Sequence, residues 1–138
     1  MGEVYEARDT RLGRPVAVKV LREELSARAD RARFEREART IASLTHPHIC
    51  TLHDIGRHVD VDFLVMELLE GETLAERLAR GPLSLETTLE YGVQIADALE
   101  CAHRQRIVHR DLKPANIMVT HAGIKLLDFG LATLRRDV

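Results

Sequence analysis

Asp111, Lys113 and Asn116 stand close together in the stretch IVHRDLKPANIMV, Ile107 to Val119. An aspartate can accept a hydroxyl proton. An asparagine side-chain oxygen can bind a hard cation such as Mg²⁺, and a lysine can neutralise charge on a transferring phosphoryl group. Apolar pairs flank these residues, Ile107–Val108 before and Ile117–Met118 after. The stretch therefore reads as a loop pinned at both ends to a core, with its polar groups aimed at something. A plainer reading is an Asx-turn loop with an incidental salt bridge. Further on, Asp128 in LLDFG is a carboxylate at the end of an apolar strand, with Gly130 just beyond. That placing suits metal binding, or simply the opening of a turn.

Of the 20 basic side chains only three are lysines, so each stands out. Lys19 lies in RPVAVKVL, Arg14 to Leu21, a Val-rich run that reads as a strand. Alternation puts Ala17, Lys19 and Leu21 on one face and Val16, Val18 and Val20 on the other. A lysine between valines is costly to bury without an anionic partner. Glu37 is a matching oddity, on the apolar face of a helix between Phe34 and Ile41. Singly, each reads as a solvated side chain; together they suggest a Lys–Glu pair across a strand–helix contact.

The elements that must position these residues follow from periodicity and punctuation. The segment from Arg28 to Leu44 reads as a helix with Phe34, Glu37, Ala38 and Ile41 on one face, stopped by His46–Pro47. HICTLHDIG and DFLVMELLE read as strands joined by a polar turn near His58 to Asp60. TLAERLARGP reads as a short helix ended by Gly81–Pro82. Ser84 is a candidate N-cap for a longer helix whose apolar stripe runs Leu85, Leu89, Ala96, Leu99 and then His103. GIKLLDFGLA reads as a strand leading into a turn. Strands thus dominate the first half and helices the second, with Glu67 to Gly71 as the hinge, and ligand sites often lie between such halves.

With 138 residues, 45% apolar and 30% charged, the chain has the composition of a soluble globular protein. A net charge of -2 gives no bulk attraction to nucleic acid or to an anionic membrane. Cys50 and Cys101 are far apart without metal or redox spacing, and read as buried free thiols of a reducing cytosol. No apolar run reaches about 18 residues and no signal-peptide pattern is present, so a soluble, cytoplasmic segment is expected.

Lys19, Glu37, Asp111-x-Lys113-x-x-Asn116 and Asp128-Phe-Gly form an ordered set that resembles the eukaryotic-type (Hanks-type) protein kinases. VAVK is similar to the strand carrying the phosphate-binding lysine, HRDLKPAN to the catalytic loop, and DFG to the metal-binding triplet. Lys113 within DLKP is the form typical of serine/threonine kinases, and MGEVYEARDTRLGRPVAVKVL with LTHPHI resembles bacterial members. The resemblance implies phosphoryl transfer from ATP with Mg²⁺ to Ser/Thr hydroxyls of a protein. On that reading Lys19 holds the α/β-phosphates and pairs with Glu37. Asp128 and Asn116 hold Mg²⁺, Asp111 accepts the substrate proton, and Lys113 steadies the γ-phosphate. Val4, Ala17 and Met118 sandwich the adenine, Met66 sits behind it, and the backbones of Glu67 and Leu69 bond to it. His109 and Phe129 pack with Ile41 and Leu52 in a spine, which makes His109 a packed side chain and not a base.

The implied fold is α+β and bilobal: residues 1–68 form most of a small β-rich N-lobe and 69–138 the first part of a helical C-lobe. The family's Gly-rich loop, G-x-G-x-x-G-x-V, survives only as Gly2 and Val4, so its first strand and most of the phosphate cover are expected to be missing. The activation segment and A-P-E are likewise not reached. Two other readings compete: a catalytically incompetent nucleotide-binding regulator, and a small-molecule kinase of the aminoglycoside-phosphotransferase type. The latter enzymes tend to carry Gly in place of Arg110 and to lack LKP. In bacterial relatives of the leading reading a membrane segment often follows the kinase domain.

Overall fold

The structure is a computed structural model that describes residues 3–21 and 28–129, with side chains from 31 onward in the second stretch. Gly2 and Gly130 lie outside the described residues. The chain divides into two compact units, one of Met1–Ser43 with Thr51–Leu68, the other of Leu44–Cys50 with Leu69–Val138.

The first unit holds β1 (Glu3–Asp9), β2 (Arg14–Leu21), α1 (Arg28–Ala42), β3 (Leu52–His58) and β4 (Val61–Glu67). The strands form one antiparallel sheet in the order β1-β2-β4-β3. β1 was not anticipated from its sequence. Most of its side chains are exposed, so it has no apolar run to announce it. What holds it is the backbone ladder to β2, paired from Glu3↔Val20 to Asp9↔Arg14. Asp9 closes the turn: its Oδ1 accepts the Arg11 and Leu12 N–H groups, and Gly13 takes φ 66°. The β3–β4 turn falls at Val59 and Asp60, both with positive φ (46° and 63°), the twist that two-residue hairpins demand. α1 buries Phe34, Ala38 and Ile41 as its periodicity predicts. It ends at Ala42, two residues short of the expected Leu44.

The second unit holds β5 (Glu72–Thr73), α2 (Leu74–Ala79), α3 (Leu85–Arg104), a single 3₁₀ turn at Pro114–Asn116, β6 (Ile117–Thr120) and β7 (Gly123–Leu126). The three short strands form a second sheet in the order β5-β6-β7. Thr73 caps α2 in a reciprocal box with Glu76. Ser84 caps α3, its side chain accepting the Thr87 N–H. The apolar stripe read on α3 stands mostly at the surface. Leu85, Leu89, Ala96 and His103 are exposed, and the buried positions are Ala98 and Ala102. Alanine lets the helix backbone approach β7 closely, where Ile124 and Leu126 are fully buried. The packed face is thus marked by small residues, and the larger leucines belong to the exposed one. Among the described residues no helix is long and apolar enough to cross a membrane.

Candidate active site

α3 delivers the polar loop through its C-terminal cap. The Arg106 N–H donates to His103 O at 2.9 Å and the Ile107 N–H to Ala102 O at 3.0 Å, with Arg106 at φ 61°. This is the paired-bond helix stop that usually takes glycine at the left-handed position. It turns Ile107 into the core, 8% exposed, and Ile117 at the far end is 4% exposed. The loop is thus pinned at both ends by isoleucines, while Val108 is exposed.

Between those pins the side chains are tied to each other. Asn116 donates through Nδ2 to Asp111 O at 2.8 Å and to Asp111 Oδ2 at 3.1 Å. With its amide nitrogen committed, Oδ1 is the atom Asn116 can offer a hard cation. Lys113 Nζ lies 3.7 Å from Asp111 Oδ2. Such a separation in a half-exposed pair leaves both groups able to turn to a ligand.

His109 joins this loop to the segment that follows β7 and carries Asp128. It is 2% exposed. Its Nε2 donates to Leu127 O at 2.6 Å, and its Nδ1 accepts the Asp111 N–H at 3.2 Å. That pattern fixes the neutral tautomer with the proton on Nε2. Burial holds its pKa below the ordinary histidine value, opposed by the Leu127 carbonyl and by the nearby carboxylates of Asp128 and Asp111. The ring packs on Phe129, centroids 4.5 Å apart and tilted by 57°. His109 is therefore a packed, hydrogen-bonded side chain, as expected of it, with no ring nitrogen to spare for base chemistry. The Leu127 N–H in turn donates to Asn116 O at 2.9 Å. Both backbone groups of the residue before Asp128 are thus bonded to the loop. Asp128 itself takes φ 57°, an uncommon region for a residue with a Cβ.

In the first unit, the sheet register sets a second group of side chains. Val4 is opposite Lys19 and Lys19 opposite Leu64; Ala17 is opposite Met66. Directly opposed residues share a face, so Val4, Ala17, Lys19 and Met66 stand on one face of one sheet. The Glu67 N–H donates to Thr51 O at 2.9 Å, and Glu67 Oε2 accepts the Thr51 N–H. Glu37 on α1 accepts from Arg33 Nε at 3.2 Å, one turn away on the same helix. Leu69 and Met118 belong to the second unit, Met118 on β6 opposite Lys125. Ile41 and Leu52 are buried within the first unit.

Comparison with known proteins decides the family. The model of the protein kinase domain matches residues 1–137. The chain belongs to the protein kinase family. It is 49% identical to a probable serine/threonine-protein kinase of Streptomyces coelicolor, over 99% of this chain and 21% of the relative. It is 45% identical to the serine/threonine-protein kinase PrkC of Bacillus subtilis, over 96% of this chain and 21% of the relative. Against PknA of Mycobacterium tuberculosis the identity is 48%, over 96% of this chain and 32% of the relative. The chain thus spans about a fifth to a third of the length of these curated relatives. Among solved structures, the PknI kinase domain of M. tuberculosis matches with a TM-score of 0.87 at 34% identity, covering 96% of this chain and 55% of that one. Rad53 in complex with AMP-PNP matches with a TM-score of 0.82 at 29% identity, over 94% and 35% of the two chains. The α+β kinase fold expected from the motifs is therefore present.

Donor chemistry fits the expected cation. Among the described residues no three His, Cys, Asp or Glu side chains gather into a metal cage. Mg²⁺ does not need one. It prefers hard oxygens and is usually held by one or two carboxylates with waters and substrate phosphates. Asp128 and Asn116 supply oxygen donors of that kind.

Proposed function

We propose that this chain is the nucleotide-binding and catalytic part of a serine/threonine protein kinase that transfers the γ-phosphoryl group of ATP to protein hydroxyls. The observation that carries the reading is the bonded set around His109, which ties Asp111, Asn116 and the backbone beside Asp128 into one piece. A phosphoryl-transfer site works mainly by positioning and electrostatics, so rigidity between its proton acceptor and its cation ligands is the property it needs.

Asp128 and Asn116 Oδ1 would hold Mg²⁺, which when bound neutralises charge on the nucleotide phosphates. Asp111, fixed at its backbone by His109 and Asn116, would orient the substrate hydroxyl and take its proton. Lys113 would leave its loose contact with Asp111 to meet the γ-phosphate. Lys19 would bind the α/β-phosphates and pair with Glu37, whose carboxylate has a second oxygen beside the one that Arg33 holds. Val4, Ala17 and Met118 would cover the adenine faces with Met66 behind. With the Glu67 N–H engaged by Thr51, the Glu67 carbonyl is the group that would meet the adenine amino group, beside the backbone of Leu69. A cytoplasmic location for these residues follows from a supply of ATP and Mg²⁺.

The test is calorimetry and turnover on the whole protein. Asp128→Ala should abolish the Mg²⁺ dependence of nucleotide binding. Lys19→Met should cut phosphate transfer to a protein substrate by orders of magnitude, since loss of positioned charge removes several kcal/mol of transition-state stabilisation. Normal transfer by Lys19→Met, or Mg²⁺ affinity unchanged in Asp128→Ala, refutes the assignment.

A further inference from the structure

β7 passes the chain to Asp128, yet β6 pairs with only one of its edges. The other edge is closed by parts from two different places in the sequence. At Ile124, fully buried, the backbone N–H donates to Gln94 Oε1 at 2.9 Å. The Ile124 carbonyl accepts from His48 Nδ1, also at 2.9 Å. A carbonyl cannot donate, so His48 carries its proton on Nδ1. One step along, backbone takes over from side chains. The Leu126 N–H donates to His48 O at 2.9 Å, and the Cys50 N–H donates to Leu126 O at 3.0 Å. Ile49 and Leu126 form an isolated parallel bridge.

Both side chains are themselves placed. His46 Nδ1 accepts the His48 N–H at 3.0 Å, and its Nε2 is 3.0 Å from Asp97 Oδ2 on α3. Gln94 and Asp97 lie one turn apart on that helix, so α3 holds both the His46–His48 segment and β7. Gly123 leaves the room they need. A Cβ there would stand 2.8 Å from Gln94 Oε1 and 3.1 Å from His48 Cε1.

We infer that Gln94 and His48 are positioning residues for Asp128, closing the free edge of β7 so that the strand cannot fray or shift and carry the carboxylate with it. An open edge with buried, unpaired backbone groups is costly, and fraying at Ile124 would propagate to Leu127 and Asp128. Neither side chain need touch a ligand. The inference rests on the proposed role of Asp128 as a cation ligand.

The experiment uses the whole protein, Mn²⁺ as the probe cation at a fixed nucleotide concentration, and amide hydrogen exchange. Asp128→Ala is measured first and should abolish saturable Mn²⁺ binding. Gln94→Leu should speed exchange at residues 124–127 selectively and raise the half-saturating Mn²⁺ concentration severalfold. Gln94→Glu keeps an acceptor of the same reach and should restore both readouts. His48→Leu and His48→Asn form the matching pair for the donor. If Gln94→Leu does not fold, Gln94→Asn, one methylene too short to reach Ile124, is read in its place. Loss of Mn²⁺ binding in Asp128→Ala with none of these shifts in the Gln94 and His48 variants overturns the inference alone. Uniformly faster exchange across the chain does the same, because it marks a general stabilising role. Unchanged Mn²⁺ binding in Asp128→Ala overturns the cation assignment and the inference with it.

Discussion

Replacing His109 by Phe isolates what its two nitrogens do. A phenyl ring keeps the aromatic contact with Phe129, and the position is 2% exposed, so the packing loss is small. What disappears is a donor to Leu127 O and an acceptor for the Asp111 N–H. A buried polar group left without a partner costs about 1–3 kcal/mol. Asp111 is half-buried, and water can replace part of its loss, so the expected destabilisation is about 2–4 kcal/mol. Urea unfolding of the whole protein at pH 7.5 reads this directly.

The pH dependence supplies a second check. Burial lowers the His109 pKa below the unfolded value, so on acidification the unfolded chain takes up a proton that the native chain refuses. The wild-type protein is therefore fully stabilised by this group above the unfolded pKa, near 6.5, and loses that contribution as pH falls below it. His109→Phe removes this group and should flatten the loss. Some slope should persist, because His53 is lowered in the same direction, first by burial and then by Arg14. Turnover should fall more than stability at pH 7.5, since the lost bonds flank Asp111 and Asp128. A variant within about 0.5 kcal/mol of wild type, with its acid slope unchanged, would refute the tie between this imidazole and the site.

Two backbone predictions follow from the residues that lead into α2. Gly71→Ala should strongly lower the melting temperature: its φ of 148° suits glycine, and a Cβ would fall 2.1 Å from Val119 O on β6, which is backbone and cannot swing away. Thr73→Ala should cost about 1 kcal/mol, because it removes the hydroxyl half of the box that caps α2; an unchanged unfolding midpoint would show that the cap contributes nothing.

The loop around Asp111 was legible because it is local. Asp111, Lys113 and Asn116 sit on one loop, and a single 3₁₀ turn brings Asn116 back onto Asp111. Ser84 and the face of α1 were legible for the same reason, each being a matter of a few neighbouring residues. β1 was not, since its stability comes from a ladder to β2 and not from its own side chains. The packed face of α3 was not singled out, because burial there rewards smallness at Ala98 and Ala102. Gln94 was passed over entirely. Its partner is a backbone N–H thirty residues away, and a sequence pattern carries no mark of that. The one available hint was a polar residue at Gln94, one turn before Ala98 on the face that turns out to be buried.

The positive-φ residues explain why the site needs so many anchors. Arg106, Arg110 and Asp128 all adopt left-handed backbone, at φ 61°, 67° and 57°. A residue with a Cβ is disfavoured there by roughly 1–2 kcal/mol. The cost is met locally. Arg106 lies in the doubly bonded end of α3. Arg110 and Asp128 each adjoin one partner of the same hydrogen bond, the first following His109 and the second following Leu127. Each reversal lets the chain turn sharply and place a carboxylate, Asp111 after the first and Asp128 at the second, close to one neutral imidazole. A ring with one donor and one acceptor fits that junction because the junction offers one carbonyl and one N–H. Glycine at Arg110 would relieve the backbone but add conformational freedom to the unfolded chain, so the strained residue and the anchored histidine belong to the same arrangement.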